Sequence, residues 1–300
     1  MADDVKASPS VRKLAADKGV DLTALARDLG RETIGKEDVL GSAPGAGAGA
    51  SAAGGGGADT SYWDVDHAAY GPVREEPTSR FARVAAKNLA AAQALIPAVT
   101  HHDRADMTAV EAFRGHVKDE ARAQGVRLTA LAFHVKALAR TLRDFERFNA
   151  SLSPDGETLI LKDYVHVGIA VDTAFGLMVP VIRDADRKGL LQIGREIADL
   201  AERAQSRKVK PDEMGGASMT ISNLGGIGGT AFTPIVNPPE LAILGITRTE
   251  TVPVWDGAAW RPTPMAPLDL SYDHRVINGA DAARFLVAYT RYLADPRRML

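Results

Sequence analysis

Leu270-Ser271-Tyr272-Asp273-His274-Arg275-Val276-Ile277-Asn278-Gly279, close to the C-terminus, is the stretch on which the reading of this chain turns. An apolar alternation through Met265, Pro267, Leu268, Leu270 and Tyr272 predicts a strand. It stops at a histidine flanked by charge. Beyond Asn278-Gly279, Ala282, Ala283, Leu286, Ala288 and Tyr289 recur at about helical spacing, so a helix opens there. A histidine at a strand-to-helix junction sits at an open edge, where a substrate can reach its ring. Imidazole is the side chain best matched to proton transfer near neutral pH. A lone histidine is more often structural than catalytic, so the weight rests on what surrounds it.

Three hundred residues, 45% hydrophobic and 25% charged, describe a globular protein with room for one sizeable core and an appendage. The formal net charge of −2 gives no argument for nucleic acid or an anionic membrane, and neither is expected as a partner. The absence of cysteine excludes disulfides, thiolate metal sites and a cysteine nucleophile. No apolar signal segment opens the chain and no run approaches membrane-spanning length, so the expected location is cytoplasmic (the mitochondrial matrix for a eukaryotic source).

Outward from the histidine, the chain reads as three parts. Residues 8–40 form a small unit: Ser8 or Ser10 caps a helix Val11–Lys18 that Gly19 ends, and a second helix runs from Lys36 to Leu40. Residues 41–60, almost all Gly, Ala and Ser, cannot bury a core and read as a flexible linker. Residues 61–300 form the large domain, with the Tyr62-Trp63 aromatics in an arm against a neighbouring surface. Its helices are expected after Ser79, after a Thr108/Glu111 capping box, over 128–148, and through Leu190, Ile193, Ile197 and Leu200. Strands are expected at 158–161, 165–171, 177–182, 218–221 and 241–247, with a hairpin turning at Asp256-Gly257. Intermingled strands and helices without repeats predict a mixed α/β fold.

Other motifs yield less. Gly226, Gly228 and Ala231 sit at dinucleotide-loop spacing, but Pro234, Pro238 and Pro239 forbid the helix such a site needs. The glycines instead let backbone pass close to another strand or subunit. Adjacent strand residues point oppositely, so His101, His102 and Asp103 suit no common metal spacing; they read as surface or channel-lining, and no metal is expected. His166 reads as core or interface. Asn278 is a helix N-cap with Asp281 at the third helical position, and it equally suits holding the loop by hydrogen bonds.

Asp273-His274-Arg275-Val276-Ile277-Asn278-Gly279-Ala280-Asp281-Ala282-Ala283-Arg284-Phe285 resembles the active-site signature of the dihydrolipoamide acyltransferases. These are the cores of the 2-oxo acid dehydrogenase complexes, with chloramphenicol acetyltransferase as a fold relative. Ser222-Asn223-Leu224-Gly225-Gly226 matches a second signature of that family. Pro9-Ser10-Val11-Arg12-Lys13-Leu14-Ala15, Gly19-Val20-Asp21-Leu22 and Lys36-Glu37-Asp38-Val39 resemble its peripheral subunit-binding domain. That module's glycine-rich loop departs from the family pattern at Arg27 to Thr33, and Ala16 stands at a common arginine. Ala16-Asp17-Lys18 is similar to a lipoyl-attachment tripeptide, but it lies inside a helix and is rejected.

The resemblance implies a mixed-sheet, chloramphenicol acetyltransferase-like domain preceded by a two-helix subunit-binding domain and a linker. It implies acetyl transfer between dihydrolipoamide and coenzyme A at the core of a pyruvate dehydrogenase-type complex. His274 would be the general base, Ser222 the oxyanion donor and Asn278 the group that orients the loop. The lipoyl group would come from a lipoyl domain absent from this sequence. Residues 8–40 would bind dihydrolipoamide dehydrogenase, the pyruvate dehydrogenase component, or both. Homotrimers, with His274 facing Ser222 across the subunit interface, would assemble into a cubic or dodecahedral core, the C-terminal Met299-Leu300 plugging into an adjacent trimer. The alternative is a catalytically inactive scaffold of the same fold. A small-molecule acetyltransferase is disfavoured by the attached module.

Overall fold

The computed structural model of the chain describes residues 5–29, 31, 33–41 and 63–299. All of the expected linker except Gly41 lies outside them, as do Gly30, Glu32, Tyr62 and Leu300. Contacts divide the chain between Glu75 and Glu76.

In the first unit Ser8 caps helix α1 (Pro9–Lys18) by accepting from the Val11 N–H, and Gly19, at φ 65°, closes it. A helix not expected from the sequence follows, α2 (Leu22–Asp28), whose N-terminal N–H groups donate to the Asp21 carboxylate. Helix α3 spans Lys36–Gly41. Val11, Ala15, Ile34 and Val39 are buried together, a core so small that caps and turn bonds must contribute much of its stability. Arg12 donates to the carbonyls of Ala7 and Val5, and Arg31 pairs with Asp38 at 2.5 Å. Lys13 and Arg27 are exposed.

The second unit is the expected mixed α/β fold. Helix α4 (Arg80–Leu95) is followed by β1 (Ala98–Asp106), α5 (Thr108–Ala123) and α6 (Ala130–Asp144). Then come β2 (Ala150–Leu152), β3 (Leu159–Leu161), β4 (Val167–Thr173), β5 (Gly176–Met178) and β6 (Val181–Ile182). Helix α7 (Leu190–Gln205) leads to β7 (Met219–Asn223), β8 (Ala242–Ile246), β9 (Glu250–Trp255), β10 (Trp260–Asp273) and α8 (Gly279–Ala294). The main sheet runs β1-β10-β8-β7-β4-β5, with β6 on β4 and β9 on β10. β4, β7 and β8 are mutually parallel, and β10 is antiparallel to both β8 and β1. Among the described residues no helix is long and apolar enough to cross a membrane.

Alternation sorts the sheet's faces. Leu268, Leu270 and Tyr272 of β10, Leu244 of β8 and Ile221 of β7 join one core with the buried sides of α5–α8. The odd-numbered β10 residues Asp269, Ser271 and Asp273 point to the other face, where Ala92, Ile96, Val236 and Ile243 form only a small apolar cluster.

Three expectations are corrected. Thr108 does not cap α5: the Asp106 carboxylate accepts from the Thr108 N–H at 2.8 Å, and Glu111 pairs with Arg114 instead. The single strand expected at 177–182 is two, because Pro180 between them has no N–H to extend a ladder. Met299 is fully buried in its own chain's core, folded back by a 3-10 turn at Pro296–Met299 that packs against α5, α6 and α8. It is therefore not an exposed plug. Leu300 lies outside the described residues.

Candidate active site

His274 follows directly on β10. Its N–H donates to the Pro97 carbonyl (3.1 Å), which continues the β1–β10 pairing one residue past Ala98↔Asp273. The ring is exposed, 5.8 Å from the ring of buried Tyr272. The turn that presents it is organised by Asp273, a residue that the sequence reading quoted without giving it a role. Its carboxylate is buried and accepts from the Arg275 N–H (3.0 Å) and from the Arg275 guanidinium (2.6–3.1 Å). Its carbonyl accepts from the N–H groups of Val276 and Ile277. Bidentate pairing of this kind fixes geometry as well as charge. The hydrogen bonds and charge of Asp273 push the Arg275 pKa up.

Asn278 is the N-cap of α8 by backbone (φ −88°, ψ 157°), and its carbonyl accepts from Asp281 and Ala282 N–H, both at 3.0 Å. Its side chain makes no cap bond and is exposed. Asp281 pairs with Arg284 at 2.7 Å, which, with help from Asn278, holds its carboxyl below the usual range. The Asn278 amide is thus not spent on capping.

Ser222 is half-buried near the end of β7, directly opposite Ala170 of β4 and Gly245 of β8. The chain then turns sharply. Asn223 Oδ1 accepts from the Gly225 N–H (2.9 Å), and the Ile227 and Gly228 N–H groups donate to the Leu224 carbonyl. Gly225 is needed for close approach: a Cβ there would stand 3.0 Å from Asn223 Oδ1 and 3.4 Å from the Thr247 carbonyl. No helix opens after this turn, so no helix N-terminus is available for a pyrophosphate. Two residues before Ser222, Thr220 donates to the buried carboxyl of Glu240 (2.9 Å), as does Asn237. Burial pushes the Glu240 pKa up. The sequence carried no signal for this group.

The sheet keeps Ser222 and His274 apart. Ser222 is level with Gly245, and Gly245 with Asp269, five residues before His274 on a strand that runs the other way. Five residues of strand span about 17 Å and two strand spacings about 10 Å, so roughly 20 Å separates the two within one chain. His101 and His102 point to opposite faces of β1, as strand alternation requires. His166 is largely buried, its Nδ1 accepting from the Asp184 N–H at 3.0 Å. Elsewhere a groove of about 810 Å³ beside α5 is lined by Arg114, Lys118, Arg122 and Arg127, with Glu111 as its one acid.

Residues 70–300 match the 2-oxoacid dehydrogenases acyltransferase (catalytic domain) family, and the chain is a member of it. Residues 5–40 match the e3 binding domain. The chain is 51% identical to the dihydrolipoyllysine-residue acetyltransferase component of the pyruvate dehydrogenase complex of Azotobacter vinelandii, covering 99% of this chain and 47% of that protein. It is 48% identical to the component of the same name in Pseudomonas aeruginosa, covering 99% and 55%. The chain thus spans about half the length of these curated relatives. Among solved structures it is similar to Azotobacter vinelandii dihydrolipoamide acetyltransferase, studied for a serine, a histidine and an asparagine in its catalytic mechanism. That match has TM-score 0.77 and 52% identity, covering 78% of this chain and 97% of that one. The cubic core of a pyruvate dehydrogenase multienzyme complex matches with TM-score 0.77 and 53% identity, over the same shares.

Proposed function

We propose that this chain transfers an acetyl group between dihydrolipoamide and coenzyme A as the core of a pyruvate dehydrogenase-type complex. One observation carries the assignment of residues. In the Azotobacter vinelandii enzyme the serine studied precedes the histidine by 52 residues, and the asparagine follows it by 4. Ser222, His274 and Asn278 stand at those same intervals.

His274 takes the proton from the coenzyme A thiol, whose pKa lies near the ~8.5 of a cysteine thiol. The thiolate attacks the S-acetyl carbonyl of the dihydrolipoamide thioester, and the Ser222 hydroxyl donates to the oxyanion of the tetrahedral intermediate. As the intermediate collapses, His274 returns the proton to the departing lipoyl sulfur. Asn278, its amide free of capping, holds the turn. Both bonds are thioesters, so the reaction runs readily in either direction. Because the two groups are roughly 20 Å apart within one chain, an active centre needs His274 from one subunit and Ser222 from another. This supports a homotrimer, and a larger cubic core built from trimers.

Residues 8–40 serve as the binding module for dihydrolipoamide dehydrogenase, joined by the 41–60 linker to a catalytic domain at 61–300. Its exposed Lys13 and Arg27 supply the basic surface, since Arg12 and Arg31 are engaged within the module. The lipoyl group arrives on a lipoyl domain outside these 300 residues. The test is acetyl transfer from acetyl-coenzyme A to free dihydrolipoamide, with wild type beside His274→Ala. Turnover that falls about 10²–10⁴-fold in the variant supports the reading. An inactive wild type points to the scaffold alternative, and an undiminished variant removes His274 from the mechanism.

A further inference from the structure

One row of residues crosses the middle of the sheet: His102 on β1, Asp269 on β10, Gly245 on β8 and Ser222 on β7, each directly opposite the next. Directly opposed residues share a sheet face, so all four belong to the face that carries the Ser222 hydroxyl. Asp269 is 1% exposed, yet both its oxygens are engaged. His102 Nδ1 lies 2.6 Å from Oδ1, and the Phe232 N–H donates to Oδ2 at 3.2 Å. Burying a carboxylate costs stability unless its bonds are made. Here one is made to β1 and the other to the segment that follows the glycine-rich turn after Ser222. At Gly245, a Cβ would stand 2.7 Å from two atoms of the Phe232 ring and 3.1 Å from the Asp269 Cβ. The ring therefore occupies the space of the absent side chain, beside the position of Ser222.

We propose that His102 and Asp269 are positioning residues for acetyl transfer: they pin Phe232 over Gly245, so that its ring shields the Ser222 hydroxyl from water. A fixed hydroxyl is worth more to a developing oxyanion where water is excluded. His102 closes the arrangement from β1 and keeps the Asp269 carboxylate aimed at the Phe232 backbone. Neither residue touches the reacting atoms. The proposal rests on the reading of Ser222 as the oxyanion donor.

The experiment is steady-state acetyl transfer by the full chain, with thermal melting of each variant as a check on folding. Asp269→Ala is expected to lower kcat about tenfold with KM for coenzyme A little changed, a fraction of the 10²–10³ that a whole donor supplies. Asp269→Asn, whose amide oxygen still accepts from Phe232, should recover most of that loss. Gly245→Ala, whose Cβ crowds the Phe232 ring first and the Asp269 Cβ second but removes neither partner of the Asp269 carboxylate, should fall with Asp269→Ala; it carries the test if Asp269→Ala does not fold. Because the effect passes through Ser222, Asp269→Ala in a Ser222→Ala background should cost less than about twofold more, as non-additivity of coupled residues requires. Wild-type kcat in folded Asp269→Ala or Gly245→Ala overturns the proposal, as does full additivity in the double variant. If Ser222→Ala itself keeps wild-type turnover, the oxyanion reading has failed, and that result is distinct from a failure of the positioning alone.

Discussion

Ser222 and His274 lie at opposite ends of one sheet because β7 and β10 run in opposite directions, with β8 between them. No side-chain rotation spans a gap of roughly 20 Å. Under the proposed roles, the oxyanion donor and the base are separated within every chain, and a symmetric oligomer would have to bring them together.

Ser222→Ala should lower turnover roughly 10²–10³-fold, the range for one oxyanion donor. Coenzyme A binding should change little, since the charge exists only in the transition state. Equilibrium binding measured beside kcat separates the two; a loss confined to binding makes Ser222 a ligand contact.

Asn278→Asp should leave stability unchanged and alter the rate by less than about tenfold. The Asn278 side chain makes no cap bond that the change could remove, and the α8 N-terminus favours a negative charge. Arg284 already screens the neighbouring Asp281. A collapse in rate with an intact fold would show that His274 needs a neutral amide four residues on.

His134 is buried, bonded through Nδ1 to the Tyr289 hydroxyl at 2.6 Å, and burial lowers its pKa to about 4. An unfolded chain takes up that proton near pH 6.5, while the folded chain resists until about pH 4. Stability from this residue is therefore complete above pH 6.5 and declines as pH falls towards 4, by about 3 kcal/mol at its full extent. His134→Gln keeps a partner for Tyr289 but does not titrate. Denaturation at pH 7 and pH 4.5 should show a smaller acid loss in the variant; equal losses contradict the assignment.

The helix periods, the β10 strand and the histidine turn were all legible in the sequence, because each is a local pattern of apolar spacing and caps. What was not legible depended on partners distant in sequence or on very short elements. α2 is seven residues long, too short for periodicity to register, and only Asp21 marks its start. The N-cap of α5 is Met107, whose side chain makes no cap bond, and the first helical N–H is met by Asp106 at the end of β1, so the Thr108/Glu111 pattern was a coincidence of residue types. The same limit applies at the site. His274, Ser222 and Asn278 stood out through their motifs, whereas the Asp269–His102 pair, 167 residues apart in sequence, exists only in the β1–β10 register.

The tail follows that rule as well. Met299→Ala should destabilise the catalytic domain by about 2–5 kcal/mol, the usual cost of truncating a buried methionine. Denaturant titration at a protein concentration that fixes the assembly state measures it. A variant with unchanged stability but dissociated assemblies would return Met299 to the role of an intersubunit plug.

The central claim is that the base and the oxyanion donor come from different chains, and mixing two inactive variants tests it most directly. His274→Ala and Ser222→Ala chains are produced together in equal amounts, so that subunits assort at random within each oligomer. In a ring where each site takes His274 from one subunit and Ser222 from the next, about one site in four receives both intact residues. Co-assembled protein should then recover about a quarter of wild-type acetyl transfer, while the same variants purified separately and mixed without exchange stay inactive. No recovery in verified mixed oligomers would place the base and the donor in one chain, and would contradict the account.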